Sequence, residues 1–437
     1  MEKNRVVITG MGVVSPNANS LPEFEDALRT GKSGIQFISE LEPLNFGCRI
    51  GGVPQHFEPV LADHFCEHEI RNQTAAMRYA TVAAVDAWKD AGLDLPRELL
   101  NGEIAEQSDA QSEAHWETGV IIGTGVSDME TIVDTVVPMI SAGKVKRMGS
   151  RVVEQVMASS ISAKVGGMLG LGNQVTSNSS ACNTGAEAIV EASWRIRTGR
   201  ADRMLAGSAE GPSPYTWGGF DAMRVLARKF NGDPSKGSRP MSASACGFVP
   251  GSGAGILILE NLETAIQRGA RIYAEIIGAH VNSGGQRGGG TMTAPNPKGV
   301  QLCIQSALRD AAISGDDVDG INGHLTATYA DPYEVKNWSA ALKRNGEDFP
   351  YINSTKSMIG HCLGAAGSIE TIAAVLELHH GFLHPSINCE DVHPEIEPIS
   401  DKIVRTEMNY PQLNIIAKAS FGFGDVNSCL ILKKWNN

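Results

Sequence analysis

The chain has 437 residues, long enough for two domains or one large duplicated one, with the 42% hydrophobic and 20% charged content of an ordinary globular protein. A formal net charge of −12 argues against a general nucleic-acid binder, and no apolar run approaches the length of a membrane span. Eight scattered cysteines without a Cys-x-x-Cys pair, in a chain that enters a strand-like run with no basic-then-apolar leader, predict free thiols in a reducing compartment, by default the cytoplasm.

Val6–Ile8 reads as a buried strand ending in a Gly-rich turn, Thr9-Gly-Met-Gly-Val-Val-Ser-Pro16. The turn holds Gly-x-Gly but no third glycine in register, which is weak for a dinucleotide site. Residues 22–31 are expected to be helical, and 33–70 irregular, broken by Pro43, Pro54 and Pro59. Over 75–92, Met77, Thr81, Ala84, Val85 and Trp88 share one helical face. Residues 101–117 are acidic and read as a surface loop. GVIIGTG at 119–125 is a continuous apolar strand of the parallel-sheet kind, and 128–137 is a helix that Pro138 should stop.

Further strands are expected at 203–207 and 256–260, then helix at 262–268. A second half of similar rhythm begins after Arg271. Its strands fall at 272–279, near Ile321, at 352–354, 415–421 and 429–432, and its helices at 298–313, 333–344 and 361–380. Strands alternating with helices predict an α/β architecture with mostly parallel sheets, and the repeated rhythm suggests an internal duplication. Ser283-Gly-Gly-Gln-Arg-Gly-Gly-Gly290 is the one low-complexity piece, expected to be a mobile loop near a site.

The stretch Ser177-Asn-Ser-Ser-Ala-Cys182-Asn-Thr-Gly185 leads into a helical pattern with Ala186, Ile189, Val190, Ser193 and Trp194 on one face. Cys182 is thereby placed at a helix N-terminus, where unpaired N–H groups and the dipole favour thiolate. Three further stretches bring polar groups to strand ends: Gly323-His324-Leu-Thr326-Ala-Thr328, Asn353-Ser-Thr-Lys356-Ser-Met-Ile-Gly360-His361, and Ala419-Ser-Phe421-Gly-Phe423-Gly-Asp425. His361, at the expected start of a helix, should be held neutral by the dipole. His64-x-Cys66-x-His68 has poor spacing for tetrahedral zinc, and no metal site is expected.

Ala181-Cys182-Asn-Thr-Gly185, His324-x-Thr326-x-Thr328 and Lys356-Ser-x-x-Gly-His361, in that order, resemble the β-ketoacyl-acyl carrier protein synthases, the condensing enzymes of fatty-acid and polyketide synthesis. The opening strand and turn, Arg239-Pro240, Gly247-Phe-Val-Pro-Gly251 and Phe421-Gly-Phe-Gly424 carry the resemblance across the chain. It implies a thiolase-like α/β fold of two duplicated halves in αβαβα layers, residues 1–260 with the nucleophile and 261–437 with the two histidines and the lysine. It also implies roles. Cys182 takes an acyl chain from a carrier-protein thioester, and its N–H with that of Phe423 forms an oxyanion hole. His324 and His361 stabilise the enolate left when a malonyl unit loses CO₂. Lys356 is an electrostatic partner, fixed by Glu370. Thr326 and Thr328 bind the phosphopantetheine arm, and Phe421 and Phe423 gate the malonyl side. No bound cofactor is expected, the substrates riding on acyl carrier protein.

A homodimer is implied, with a heterodimer beside a chain-length-factor-like paralogue as the alternative and a coenzyme A-dependent thiolase as a more distant one, for which Cys429 is the sole candidate second cysteine. Lys144, Lys146, Arg147, Arg228 and Lys229 are the basic residues offered for docking an acidic carrier protein. The chain departs from the family pattern at Leu325, where glycine is usual, at Asp425 beside the gate, and at Ser252. These departures suggest a specialised branch.

Overall fold

The computed structural model describes residues 3–96 and 114–436, so the expected acidic loop lies outside the described residues up to 113. We number the ten strands of its main sheet β1 (Val6–Val14), β2 (Thr118–Gly123), β3 (Val175–Thr176), β4 (Arg203–Glu210), β5 (Gly253–Asn261), β6 (Ala274–Ser283), β7 (Gly320–Asn322), β8 (Tyr351–Asn353), β9 (Ile415–Gly422) and β10 (Val426–Lys434). Five helices carry the argument: α1 (Ala75–Asp90), α2 (Thr184–Arg197), α3 (Pro297–Ala311), α4 (Asp331–Leu342) and α5 (Ala366–His380).

The first half is ordered β1-β5-β4-β2-β3 and the second β6-β10-β9-β7-β8. Each half runs antiparallel across its first three strands and parallel across its last two joins. The duplication suggested by rhythm is therefore explicit in topology, while the expected mostly parallel sheet is corrected to a mixed one. Periodicity could not have told the two apart, because the antiparallel strands at the centre are covered on both faces and read as continuous apolar runs. The halves meet where Val6–Ile8 of β1 pairs antiparallel with Ala274–Ile276 of β6.

Helices α2 and α5 lie side by side and touch strands of both halves, which makes them the middle layer. α5 is buried around nearly its whole circumference, as a mainly apolar helix between two sheets must be. α1 covers the outer face of β1 and β5, and α3 covers β6 and β10 with α4 packed against it. The result is the five-layer thiolase-like arrangement that the resemblance implies.

Two local expectations fail for physical reasons. Thr9–Val14 is no turn: β1 runs through it, because a Cβ on Gly10 or Gly12 would come within 2.3 and 2.0 Å of the Ala87 and Ala83 carbonyls of α1. Those glycines let strand and helix approach. Pro138 does not end its helix either. A π-turn over Ile132–Val136 widens the helix just before it, and Val137–Ser141 continues with the proline in its first turn, where no N–H is required. The irregular stretch 33–70 contains a small antiparallel ribbon, Ile35–Phe37 with Ile50–Gly52, and the helix Phe57–His64. Among the described residues no helix is long and apolar enough to cross a membrane.

Candidate active site

Cys182 sits in a 3-10 turn, Ala181–Asn183, that runs straight into α2. Ala181 takes a left-handed φ of 51°, a strained geometry for a residue with a Cβ. The Thr184 hydroxyl fixes it, accepting the Ser180 N–H at 2.9 Å and donating to the Ala181 carbonyl at 2.7 Å. The sulfur is therefore delivered at the head of the helix as the sequence predicts. Its expected thiolate character is not: burial pushes the Cys182 thiol up to about 12, with Glu210 and Glu370 adding to the effect and Lys356 opposing it. Desolvation is the largest of these effects.

His324 lies just beyond β7, on a loop cradled by two buried carboxylates of α4. Glu334 accepts the N–H groups of His324 and Leu325, both at 2.7 Å, and Asp331 accepts those of Thr326 at 2.8 Å and Ala327 at 3.1 Å. Burial raises Glu334 to about 7. This cradle explains how the loop keeps positive φ at Leu325 (20°) and Ala327 (63°) without glycine. The Thr326 and Thr328 hydroxyls stand 3.0 Å apart, half-buried at the loop surface.

Lys356 and His361 follow β8. The backbone of His361 is clamped by the Gly247–Gly251 motif: its N–H donates to Val249 at 2.7 Å and its carbonyl accepts from Gly251 at 2.8 Å. Gly360 turns the chain at φ 70°, where a Cβ would also meet the Val249 carbonyl at 2.8 Å. α5 begins only at Ala366, so His361 precedes the helix rather than starting it. The Leu363 N–H donates to His361 Nδ1 at 3.2 Å, and Lys356 Nζ lies 3.5 Å from His324 Nδ1. With both Nδ1 atoms occupied as acceptors, each imidazole carries its proton on Nε2. Both rings are held well below the usual histidine range, by burial first and then by Lys356 and Lys418. Neutrality is as expected for His361, but its cause is burial and two lysines.

The two rings are perpendicular with centroids 5.4 Å apart, flanked by Phe248 at 5.2 Å from His361 and Phe421 at 6.0 Å from His324. Phe423 caps a chain of rings through Phe220 (6.1 Å) to Phe248 (5.4 Å). The Cys182 turn packs against β9 and against Leu363–Ala365, two residues beyond His361. Gly422 makes this close approach possible, since a Cβ there would lie 2.7 Å from the Ser180 carbonyl. Among the described residues no protein carbonyl or carboxylate accepts from the Phe423 amide. Lys356 forms a buried ion pair with Glu370 of α5.

Sequence reading missed four groups here. Glu334 and Asp331 shape the His324 loop. Glu210, raised to about 7 by burial, gathers N–H bonds from Gly125 (2.9 Å) and Gly364 (3.1 Å), tying β4 to the segment after His361. Lys418, wholly buried on β9, forms an ion pair with Glu370 at 2.7 Å. A lysine inside the apolar run Ile415–Phe421 was the available signal.

Three expectations change or stay apart. Asp425 does not face the gate. Its carboxylate turns back to accept the N–H groups of Gln286 (2.8 Å) and Asn296 (2.7 Å), which fixes the Gly-rich loop expected to be mobile. Lys144, Lys146 and Arg147 are exposed around the turn Val145–Arg147, whereas Arg228 is paired with Asp221 at 3.2 Å and Lys229 is exposed beside it. No ion pair or hydrogen bond joins the two basic groups among the described residues. Cys429 is buried in β10 opposite Ala419, pushed up to about 12 by burial.

The chain matches the family described as "Beta-ketoacyl synthase, N-terminal domain" over residues 3–265 and "Beta-ketoacyl synthase, C-terminal domain" over residues 273–390. It is 34% identical to the 3-oxoacyl-[acyl-carrier-protein] synthase 2 of Vibrio harveyi, over 99% of each chain. Among solved structures it is similar to the ishigamide ketosynthase/chain length factor, with TM-score 0.86 and 28% identity over 99% of this chain and 100% of that one. It is also similar to a chain of the structure described as a "type II PKS acyl-carrier protein in complex with its ketosynthase bound to the hexaketide", with TM-score 0.84 and 29% identity over the same shares.

Proposed function

The chain belongs to the β-ketoacyl synthase family, and we propose from that premise that it condenses an acyl chain with a malonyl unit, both delivered on acyl carrier protein. In the first step Cys182 attacks the acyl thioester. The C–S bond to the carrier breaks, the acyl chain passes to Cys182, and the thiol proton leaves with the carrier's phosphopantetheine sulfur. The burial that raises the Cys182 thiol suits loss of that proton as the bond forms. The amides of Cys182 and Phe423 serve the oxyanion, a contribution of about 10²–10³ in rate per donor.

In the second step the malonyl carbonyl sits between the two imidazoles. Its carboxyl leaves as CO₂, the electron pair of the broken C–C bond becomes an enolate, and the two Nε2–H groups stabilise the enolate oxygen. The enolate carbon attacks the acyl-Cys182 carbonyl, the C–S bond breaks, and the Cys182 sulfur takes up a proton from water. The single observation that carries this reading is the pair of buried, perpendicular imidazoles 5.4 Å apart, each with its Nδ1 within hydrogen-bond reach of a donor. Such rings donate two hydrogen bonds and accept no proton, which suits carbonyl polarisation and not general-base work.

Thr326 and Thr328 would hold the phosphopantetheine arm, and Phe421 and Phe423 would gate the entry. Lys144, Lys146 and Arg147, exposed in an acidic chain, are the better docking candidates, with Arg228 and Lys229 a separate group. A homodimer is supported by exposed Val137, Ile140 and Val153, together with the open edge of β3. A heterodimer with a paralogue is the second reading, favoured by the likeness to a ketosynthase/chain length factor. Eight free cysteines suit a reducing compartment, the cytoplasm.

Intact mass after incubation with a panel of acyl-carrier thioesters tests the first step: wild type gains the acyl mass and Cys182→Ala gains none. Condensation that proceeds from acetyl donors without CO₂ release would replace this reading with a thiolase one.

A further inference from the structure

Glu370 is a wholly buried carboxylate with a lysine on each oxygen. Lys356 takes Oε1, and Lys418 Nζ lies 2.7 Å from Oε2. Lys418 is itself fixed, donating to the Ala419 carbonyl at 2.5 Å and the Ser420 hydroxyl at 3.1 Å. It stands on β9, three residues before Phe421, while Glu370 rises from α5 and Lys356 from the short helix Lys356–Ile359 after β8. Three elements that carry the site thus meet at one buried Lys–Glu–Lys cluster.

A carboxylate offered to one ammonium alone leaves that ammonium free to move to either oxygen or to straddle both. With Oε2 already taken, Lys356 is confined to Oε1, and from there its Nζ reaches His324 Nδ1 at 3.5 Å. That contact sets which nitrogen of His324 carries the proton. Resting on the condensing reading above, we propose that Lys418 is a positioning residue for the decarboxylation half of the reaction, acting through Glu370 and Lys356 on His324. It touches neither substrate nor reacting atoms. Two lysines against one carboxylate also leave excess positive charge beside the rings, which disfavours a second proton on either imidazole. The other titratable groups around the rings are Glu334 under the His324 loop, Glu210 behind Gly364, and the thiols of Cys182 and Cys362.

The test compares wild type with Lys418→Met and Lys418→Arg in two assays, acyl loading of Cys182 by intact mass and CO₂ release from malonyl-carrier protein by the loaded enzyme. For Lys418→Met, loading stays within about threefold of wild type. Its condensation kcat falls by about thirtyfold or more with little change in malonyl-carrier KM, and the acid limb of the pH–rate profile moves upward. Lys418→Arg, which keeps the charge, recovers part of the rate and the wild-type acid limb. Where the methionine variant does not fold, Lys418→Gln, which retains an N–H donor, carries the same comparison. Equal loss of loading and condensation with an unmoved pH profile, or wild-type behaviour in both assays, overturns the proposal. Wild-type enzyme that loads no acyl group and releases no CO₂ refutes the condensing reading instead.

Discussion

Replacing Asp425 tests how the turn carrying Phe423 is held. Asp425 is 1% exposed, two residues beyond Phe423, and its carboxylate accepts the Asn296 and Gln286 amides at 2.7 and 2.8 Å. The turn and the loop are further joined by Gly284 N–H to the Asp425 carbonyl at 2.9 Å and by Gly424 N–H to Met292 at 2.8 Å. A hydrogen bond to a charged acceptor is worth ~1.5–3 kcal/mol, so two would give ~3–6 kcal/mol. Gln286 is exposed and Asn296 half-buried, so water replaces part of what is lost, and ~1–3 kcal/mol is the reasoned cost of Asp425→Ala. Alanine keeps the strained φ of 61°, so no strain is released to offset this. The loss is local. At ~1.4 kcal/mol per tenfold, amide exchange over 284–296 should accelerate about 5- to 150-fold, with the rest of the chain unchanged. Asp425→Gly should show a smaller effect, because glycine relaxes the left-handed backbone. Hydrogen-exchange mass spectrometry decides. Unchanged exchange over 284–296 in Asp425→Ala, or acceleration spread evenly over the chain, refutes the latch.

Glu377 is wholly buried and raised to about 8, chiefly by desolvation, while it accepts the His384 N–H at 2.8 Å and the Asn353 amide at 2.6 Å. A carboxyl with a raised folded-state value stabilises fully below its unfolded value near 4.5 and loses that stabilisation as pH climbs through about 8. Thermal melts of Glu377→Gln should therefore gain on wild type between pH 6 and 9, and a constant difference across that range would contradict the reasoning. Ala327→Gly removes a Cβ at φ 63° while leaving the Asp331 cradle intact, so it should leave stability unchanged or raise it by up to about 1 kcal/mol; a clear drop in Tm would show that the loop is held otherwise. Reversing both Lys146 and Arg147 to glutamate should raise the carrier-protein KM about tenfold at low salt and less at high salt, with kcat preserved. An unchanged KM places docking elsewhere.

Much of the site was legible because its residues are tied to chain turns with strong local rules. Cys182 heads a helix whose apolar face is plain, and His324, Lys356 and His361 follow short strands. What local rules cannot carry is the sum of burial. Helix position argued for a thiolate at Cys182, but the middle layer between two sheets removes the water that a thiolate needs. The same burial, joined by Lys356 and Lys418, keeps both imidazoles neutral. Leu325 reads as an awkward substitute for glycine until Glu334 and Asp331 are seen gripping the loop beneath it from a helix that starts six residues later. Asp425 reads as a charge at the gate until its two oxygens are found on a loop some 130 residues earlier in the chain.

The sequence alone determined the element order, the duplicated rhythm and the four polar side chains that the strand ends present, since these follow from periodicity, punctuation and residue chemistry along the chain. Only the tertiary structure decided the direction of the strands, the burial around the thiol and the imidazoles, and the second lysine on Glu370. Those depend on what lies within a few ångströms through space, and dielectric and pairing are properties of the packed interior.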